Sequence, residues 1–156
     1  MQAFIERLLN EYVNVKNETF ANNSFGVFVR NEIPKIIYET GLVNKENFLI
    51  TGSVGQGNWA MIPWICIFNR SITTSATKGV YIVYLLSKDG NTLYLTFNQG
   101  CTDLKNKYGK KEAILAYRDI GNDPRLFKDK LITLVILLMP VFMVRKLFEV
   151  RWRSKA

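Results

Sequence analysis

The chain has 156 residues, 48% of them apolar and 22% charged, with a formal charge of +8 and a pI near 9.6. This is the size and composition of one ordinary folded domain, which excludes a disordered or fibrous chain and leaves too little for two substantial cores. With no histidine and two widely spaced cysteines, Ser-His-Asp, Cys-His, His-based zinc and zinc-knuckle sites are excluded, while the basic excess points to a polyanionic partner.

Phe4, Ile5, Leu8, Leu9 and Tyr12 recur at helical spacing opposite Glu6, Arg7 and Glu11, so residues 2–15 read as an amphipathic helix laid over a sheet. This segment has no uninterrupted apolar core of the kind a signal peptide needs, and the expectation is a cytoplasmic chain with reduced thiols at Cys66 and Cys101. After the turn-rich NETFANNSF, the stretch NEIPKIIYETG offers a second short helix with Pro34 near its first turn and Gly41 as its stop. From Asn47 the period changes. NFLITGSV, AMIPWICIF, GVYIVYLLS and TLYLTFNQG are rich in β-branched and aromatic residues and are bounded by turn formers, so they read as four strands. The Asp89-Gly90 pair joins the last two as a hairpin, and the fold class expected is α+β, an antiparallel β-sheet meander covered by N-terminal helices. Residues 102–118 return to a helical pattern that Gly109 weakens.

Residues 131–144, LITLVILLMPVFMV, form an apolar run of fourteen that is short of the about 20 needed to span a bilayer and is interrupted by Pro140. Three readings stay open for it: a buried strand or core helix, a membrane-surface segment, or a truncated, aberrant C-terminus. The basic tail RKLFEVRWRSKA reads as a phosphate-gripping or solvated segment. Residues 1–100 carry eight Lys/Arg against seven Asp/Glu, and residues 101–156 carry thirteen against six. Anion binding by the first hundred residues therefore rests on placed groups, not on bulk charge.

The loop GSVGQGNWAMIPW has the G-x-G-x-x-[GA] spacing of a dinucleotide-binding turn, but no helix follows it and no acid stands about twenty residues on. No P-loop occurs either, so no cofactor and no metal are expected, and catalysis has no support beyond an isolated Asp103-x-Lys105. What remains is a glycine loop that lets a ligand come close, flanked by Asn58, Trp59 and Trp64. An aromatic face with an amide suits a nucleobase, although either tryptophan taken alone is more often a core residue. Lys45, Arg70, Lys78 and the lysines at 105, 107, 110 and 111 are candidate phosphate contacts, although a charge of this kind is more often simply a solvated surface group.

The run FLITGSVGQGNWAMIPWICIF, with SITTSATKGVYIVYLLSKDGNTLYLTFNQG after it, resembles the N-terminal DNA-recognition domain of McrB-type modification-dependent (type IV) restriction systems. The resemblance lies in G-x-G-N-[WF]-x-x-[IV]-P-W, then G-[VIY]-Y-x-V-x-[LY], then a strand ending near N-Q-G. It covers residues 1–116, most specifically 50–100, and leaves 117–156 as a divergent apolar and basic segment without a motor or nuclease pattern. It implies a module that binds double-stranded DNA carrying methylated or otherwise modified cytosine by flipping the base, with no catalysis of its own. A separate motor or nuclease subunit is the implied partner. Carried over by position, Gln56, Trp64, Tyr81 and Leu85 line the base pocket, with Gln56 standing where some relatives have an aromatic. Stacking then falls to Trp59 or Trp64. The rival expectations are a membrane-associated protein anchored by 131–144 and an inactive remnant of a restriction subunit.

Overall fold

The computed structural model describes the backbone of residues 2–121 and the side chains of residues 3–115; the 131–144 run and the expected 117–156 segment, save the backbone of 117–121, lie outside them. Helix α1 (Gln2–Val15) begins the chain, followed by α2 (Ser24–Val27), a π-helical turn (Phe28–Glu32) and α3 (Ile33–Glu39) in one continuous helical run. Strands β1 (Phe48–Ser53), β2 (Trp64–Asn69), β3 (Val80–Leu86) and β4 (Leu93–Gln99) form one antiparallel sheet in the order β1-β2-β3-β4. Helix α4 (Thr102–Gly121) closes the described chain and is kinked at Gly109, whose φ of 80° is non-helical. The α+β meander under N-terminal helices is thus the fold the chain adopts.

The expected second helix is α3, with Pro34 in its first turn. What the sequence pattern did not show is that the helical run begins earlier, ten residues before Pro34 at Ser24, where Asn23 caps α2 with a side chain that accepts from the Phe25 N–H at 2.9 Å. Pro34 therefore falls inside the run, where its missing N–H leaves the Arg30 carbonyl without the usual partner four residues on. The backbone accommodates this by widening: the Ile33 N–H donates to the Phe28 carbonyl, five residues back.

Alternation along the strands divides the sheet into two faces. Ile50, Ile65, Ile67, Ile82, Tyr84, Leu86, Leu93 and Leu95 point toward the helices, where they join Leu8, Tyr12, Phe25, Phe28, Val29, Ile33 and Ile37 in the main core. The opposite face of the central strands carries a smaller cluster, Cys66, Phe68, Tyr81 and Val83, with Leu49, Trp64, Ala76 and Leu85 packed beside it. The π turn sits directly on the edge strand β1. It can do so because Gly52 faces the helices: a Cβ there would lie 2.0 Å from the Val29 carbonyl oxygen. Cys66 is buried in β2, Cys101 is half-buried before α4, and no disulfide joins them.

Candidate nucleic-acid interface

The β1–β2 connection is the glycine loop, and it is fastened to α1 and to the turn that follows α1. The Trp59 indole N–H donates to the Glu18 carbonyl at 2.9 Å, the Lys16 ammonium donates to the Met61 carbonyl at 3.3 Å, and the Tyr12 hydroxyl donates to the Ala60 carbonyl. Within the loop, the Ala60 N–H donates to the Val54 carbonyl at 2.6 Å. Gly55, at φ 115°, is required by this fold-back, since a Cβ on it would meet the Asn58 carbonyl oxygen at 2.1 Å. Its glycine thus clears the loop's own backbone. Gly57 has nothing within 4 Å of where its Cβ would be, so clearance toward a ligand is confined to that position.

Beside the loop lies an open concavity of about 500 Å³, lined by Arg30, Thr51, Gly52, Ser53, Gly55, Gln56 and Trp64. Thr51 and Ser53 reach it because alternation along β1 turns them away from the helical core, and the register sets Ser53 directly opposite Trp64. Trp64 in turn pairs with Leu85 on β3. An aromatic plane, two hydroxyls, one amide and one guanidinium therefore converge on one open hollow. Such a set offers a flat apolar wall for stacking and several donors and acceptors at its edge.

The sequence-predicted residues distribute around this hollow unevenly. Gln56 and Trp64 line it. Asn58 is exposed on the same loop, and Leu85 is half-buried next to Trp64 on the same face of the sheet. Tyr81 shares that face but is buried at 5% exposure, its hydroxyl donating to the Ala76 carbonyl at 3.0 Å and lying 3.4 Å from the Asn98 amide nitrogen. Burial pushes its pKa up to about 12, against the lowering effect of Asn98. Trp59 packs on the other side of the loop against the main core, meeting Phe20 edge-on at 5.1 Å and Tyr12 at 6.3 Å between ring centroids. Its ring is thereby engaged by the protein itself.

Lys45, Arg70 and Lys78 are exposed at the other end of the strands, where β1 begins, β2 ends and β3 begins. The Arg70 Nε donates to the Lys45 carbonyl at 3.1 Å, and the Lys45 ammonium lies 5.4 Å from the Tyr38 ring centroid. Trp64 and Asn69 bound β2, and five residue steps separate the two groups by about 17 Å. Lys105, Lys107, Lys110 and Lys111 are exposed along α4.

Sequence reasoning missed Arg30, Thr51 and Ser53. The two hydroxyls carried a signal, since they alternate with Ile50 and Gly52 in β1 and so had to share a face. Arg30 carried none, because its approach to the hollow depends on the π turn and on the close contact at Gly52.

A family model described as "MrcB-like, N-terminal domain" matches residues 7–130, running past residue 116. No curated protein matches the chain closely enough to count as a relative. Among the described residues, no helix is long and apolar enough to cross a membrane.

Proposed function

The chain belongs to the MrcB-like N-terminal domain family, and from that membership we propose that it is a non-catalytic DNA-recognition module of a modification-dependent restriction system. It acts in the cytoplasm on duplex DNA carrying a modified cytosine, and it takes the modified base out of the helix. The observation that carries this reading is the hollow where Trp64 and Gln56 meet the hydroxyls of Thr51 and Ser53. Its volume of about 500 Å³ lies within the range of small-molecule sites and accommodates a single base with room for a substituent.

The energetics are compatible with flipping. Extruding a base costs a few kcal/mol, and stacking on an aromatic ring returns roughly 1 to 3 kcal/mol, with hydrogen bonds to the base edge supplying the rest. Trp64 is the stacking surface in this account, since Trp59 is already engaged by the Phe20 and Tyr12 rings and by the Glu18 carbonyl. Gln56 reads the edge of the base and Leu85 backs the Trp64 ring, while Tyr81, four residues back along β3 on the same face, braces the sheet through its bond to the β2–β3 loop. Lys45, Arg70 and Lys78 supply salt-dependent contacts to the backbone flanking the site. The recognition unit is proposed to end near residue 116, with cleavage or translocation supplied by a separate motor or nuclease subunit.

The test is the affinity of the full chain for otherwise identical duplexes carrying cytosine or modified cytosine at matched salt. Tighter binding to a modified duplex is expected, with Trp64→Ala removing the preference and leaving salt-dependent binding largely intact. Equal affinities for every duplex would sink the reading, and failure to bind DNA at all would favour an inactive remnant.

A further inference from the structure

We propose that Arg30 clamps the phosphate of the extruded nucleotide, an inference that rests on the base-recognition reading. Arg30 is the sole cation among the described residues lining the hollow, and it forms no ion pair among them. Arg30 is exposed, and its side chain lies along the Phe20 ring and Gly26. Its guanidinium carbon lies 5.4 Å from the Phe20 ring centroid, and its Nη1 passes over Gly26, 2.8 Å from where a Cβ would stand.

Three local features bring it there. Pro34 widens the helix into a π turn, Gly52 lets that turn rest on the edge strand, and Gly26 leaves room for the guanidinium. The result is a positive fork at the rim of a hollow whose wall is an indole and whose edge is an amide and two hydroxyls. A planar base joined to an anion is the ligand class that satisfies all of these at once. A guanidinium matches phosphate oxygens in bidentate fashion, and an uncompensated one gains most from such a partner. Of the other candidate phosphate contacts, Lys45, Arg70 and Lys78 stand about 17 Å away along β2 and serve a different part of the backbone.

The test is a double-mutant cycle between protein and DNA, using the full chain and the modified-cytosine duplex it binds most tightly. Each of the two phosphates flanking the modified nucleotide is replaced in turn by an uncharged methylphosphonate. One replacement is expected to weaken wild-type binding about tenfold, the size of one charge-assisted hydrogen bond, and Arg30→Gln to weaken binding to the intact duplex by a similar factor. Combined, the two changes are expected to cost no more than either alone, and Arg30→Lys to recover part of the loss. Thermal unfolding of Arg30→Gln checks that the fold persists. If the methylphosphonate costs Arg30→Gln as much as wild type, or if Arg30→Gln binds like wild type, the clamp is overturned while base recognition stands. No preference among duplexes would overturn both.

Discussion

Replacing Gly52 by alanine probes the contact on which the whole site is hung. An ideal Cβ at Gly52 lies 2.0 Å from the Val29 carbonyl oxygen and 2.9 Å from the carbonyl carbon. Carbon and oxygen settle no closer than about 3.3 Å even in a weak C–H···O contact, so the overlap exceeds about 1 Å. Both atoms are backbone in the middle of the helical run, and no side-chain rotation relieves them. The π turn has to retreat from β1, loosening Val29, Ile33, Ile50 and Val54, all buried in the main core. Overpacking of this kind costs about 1 to 3 kcal/mol, and the entropy gained by removing a glycine from the unfolded chain offsets less than about 1 kcal/mol. A net loss of about 1 to 2 kcal/mol corresponds to a fall in Tm of roughly 3 to 8 °C for a domain of this size. Circular dichroism melts and urea titrations measure it. The informative contrast is Gly26→Ala, where the added Cβ crowds the flexible end of Arg30 at 2.8 Å and makes an ordinary contact with Val54 at 3.6 Å while the helix gains propensity, so stability is expected to hold or rise. A Gly52→Ala protein as stable as wild type would refute the close-approach argument.

Trp59→Phe removes the indole bond to the Glu18 carbonyl but keeps an aromatic ring against Phe20. It is expected to cost about 1 kcal/mol of stability by urea titration while leaving duplex preference unchanged; lost preference at unchanged stability would instead assign Trp59 to the base. Alkali is expected to weaken the fold. Burial pushes Cys66 from 9.0 up to about 12, and Tyr12 and Tyr81 from 10.0 up to about 12, so the native state holds these protons after the unfolded chain has released them. Their contribution is complete below about pH 9 and is lost progressively from there toward about pH 12, and the urea midpoint at about pH 10.5 should lie below that at about pH 8. A midpoint that rises over this interval would contradict the burial of these groups.

The fold was legible where one period dominated. Four runs of β-branched and aromatic residues became four strands in chain order, and Asp89-Gly90 joins β3 to β4, with the Asn91 N–H donating to the Asp89 carboxylate at 3.1 Å. Pro34 marks the first turn of α3 as expected, but the helical turns before it were not legible, because packing against β1 joins α2 to α3 by way of the π turn. Trp59 and Trp64 look equivalent in sequence. Five residues of loop and strand send one into the core beside α1 and the other across the sheet to Ser53, a separation only the register decides. Arg30 was invisible for a related reason: it lies twenty-six residues from Gln56 in sequence, and backbone contacts at Gly52, not any local pattern, bring the two together.

The central claim is that a modified base leaves the helix to occupy the hollow at Trp64. It is tested most directly by placing 2-aminopurine beside the modified cytosine and following its fluorescence as the protein is added, because unstacking of the neighbouring base relieves its quenching. The account predicts a rise in fluorescence with the modified duplex, little change with the unmodified one, and no rise with Trp64→Ala. Saturable binding of the modified duplex with no fluorescence change at any protein concentration would contradict it.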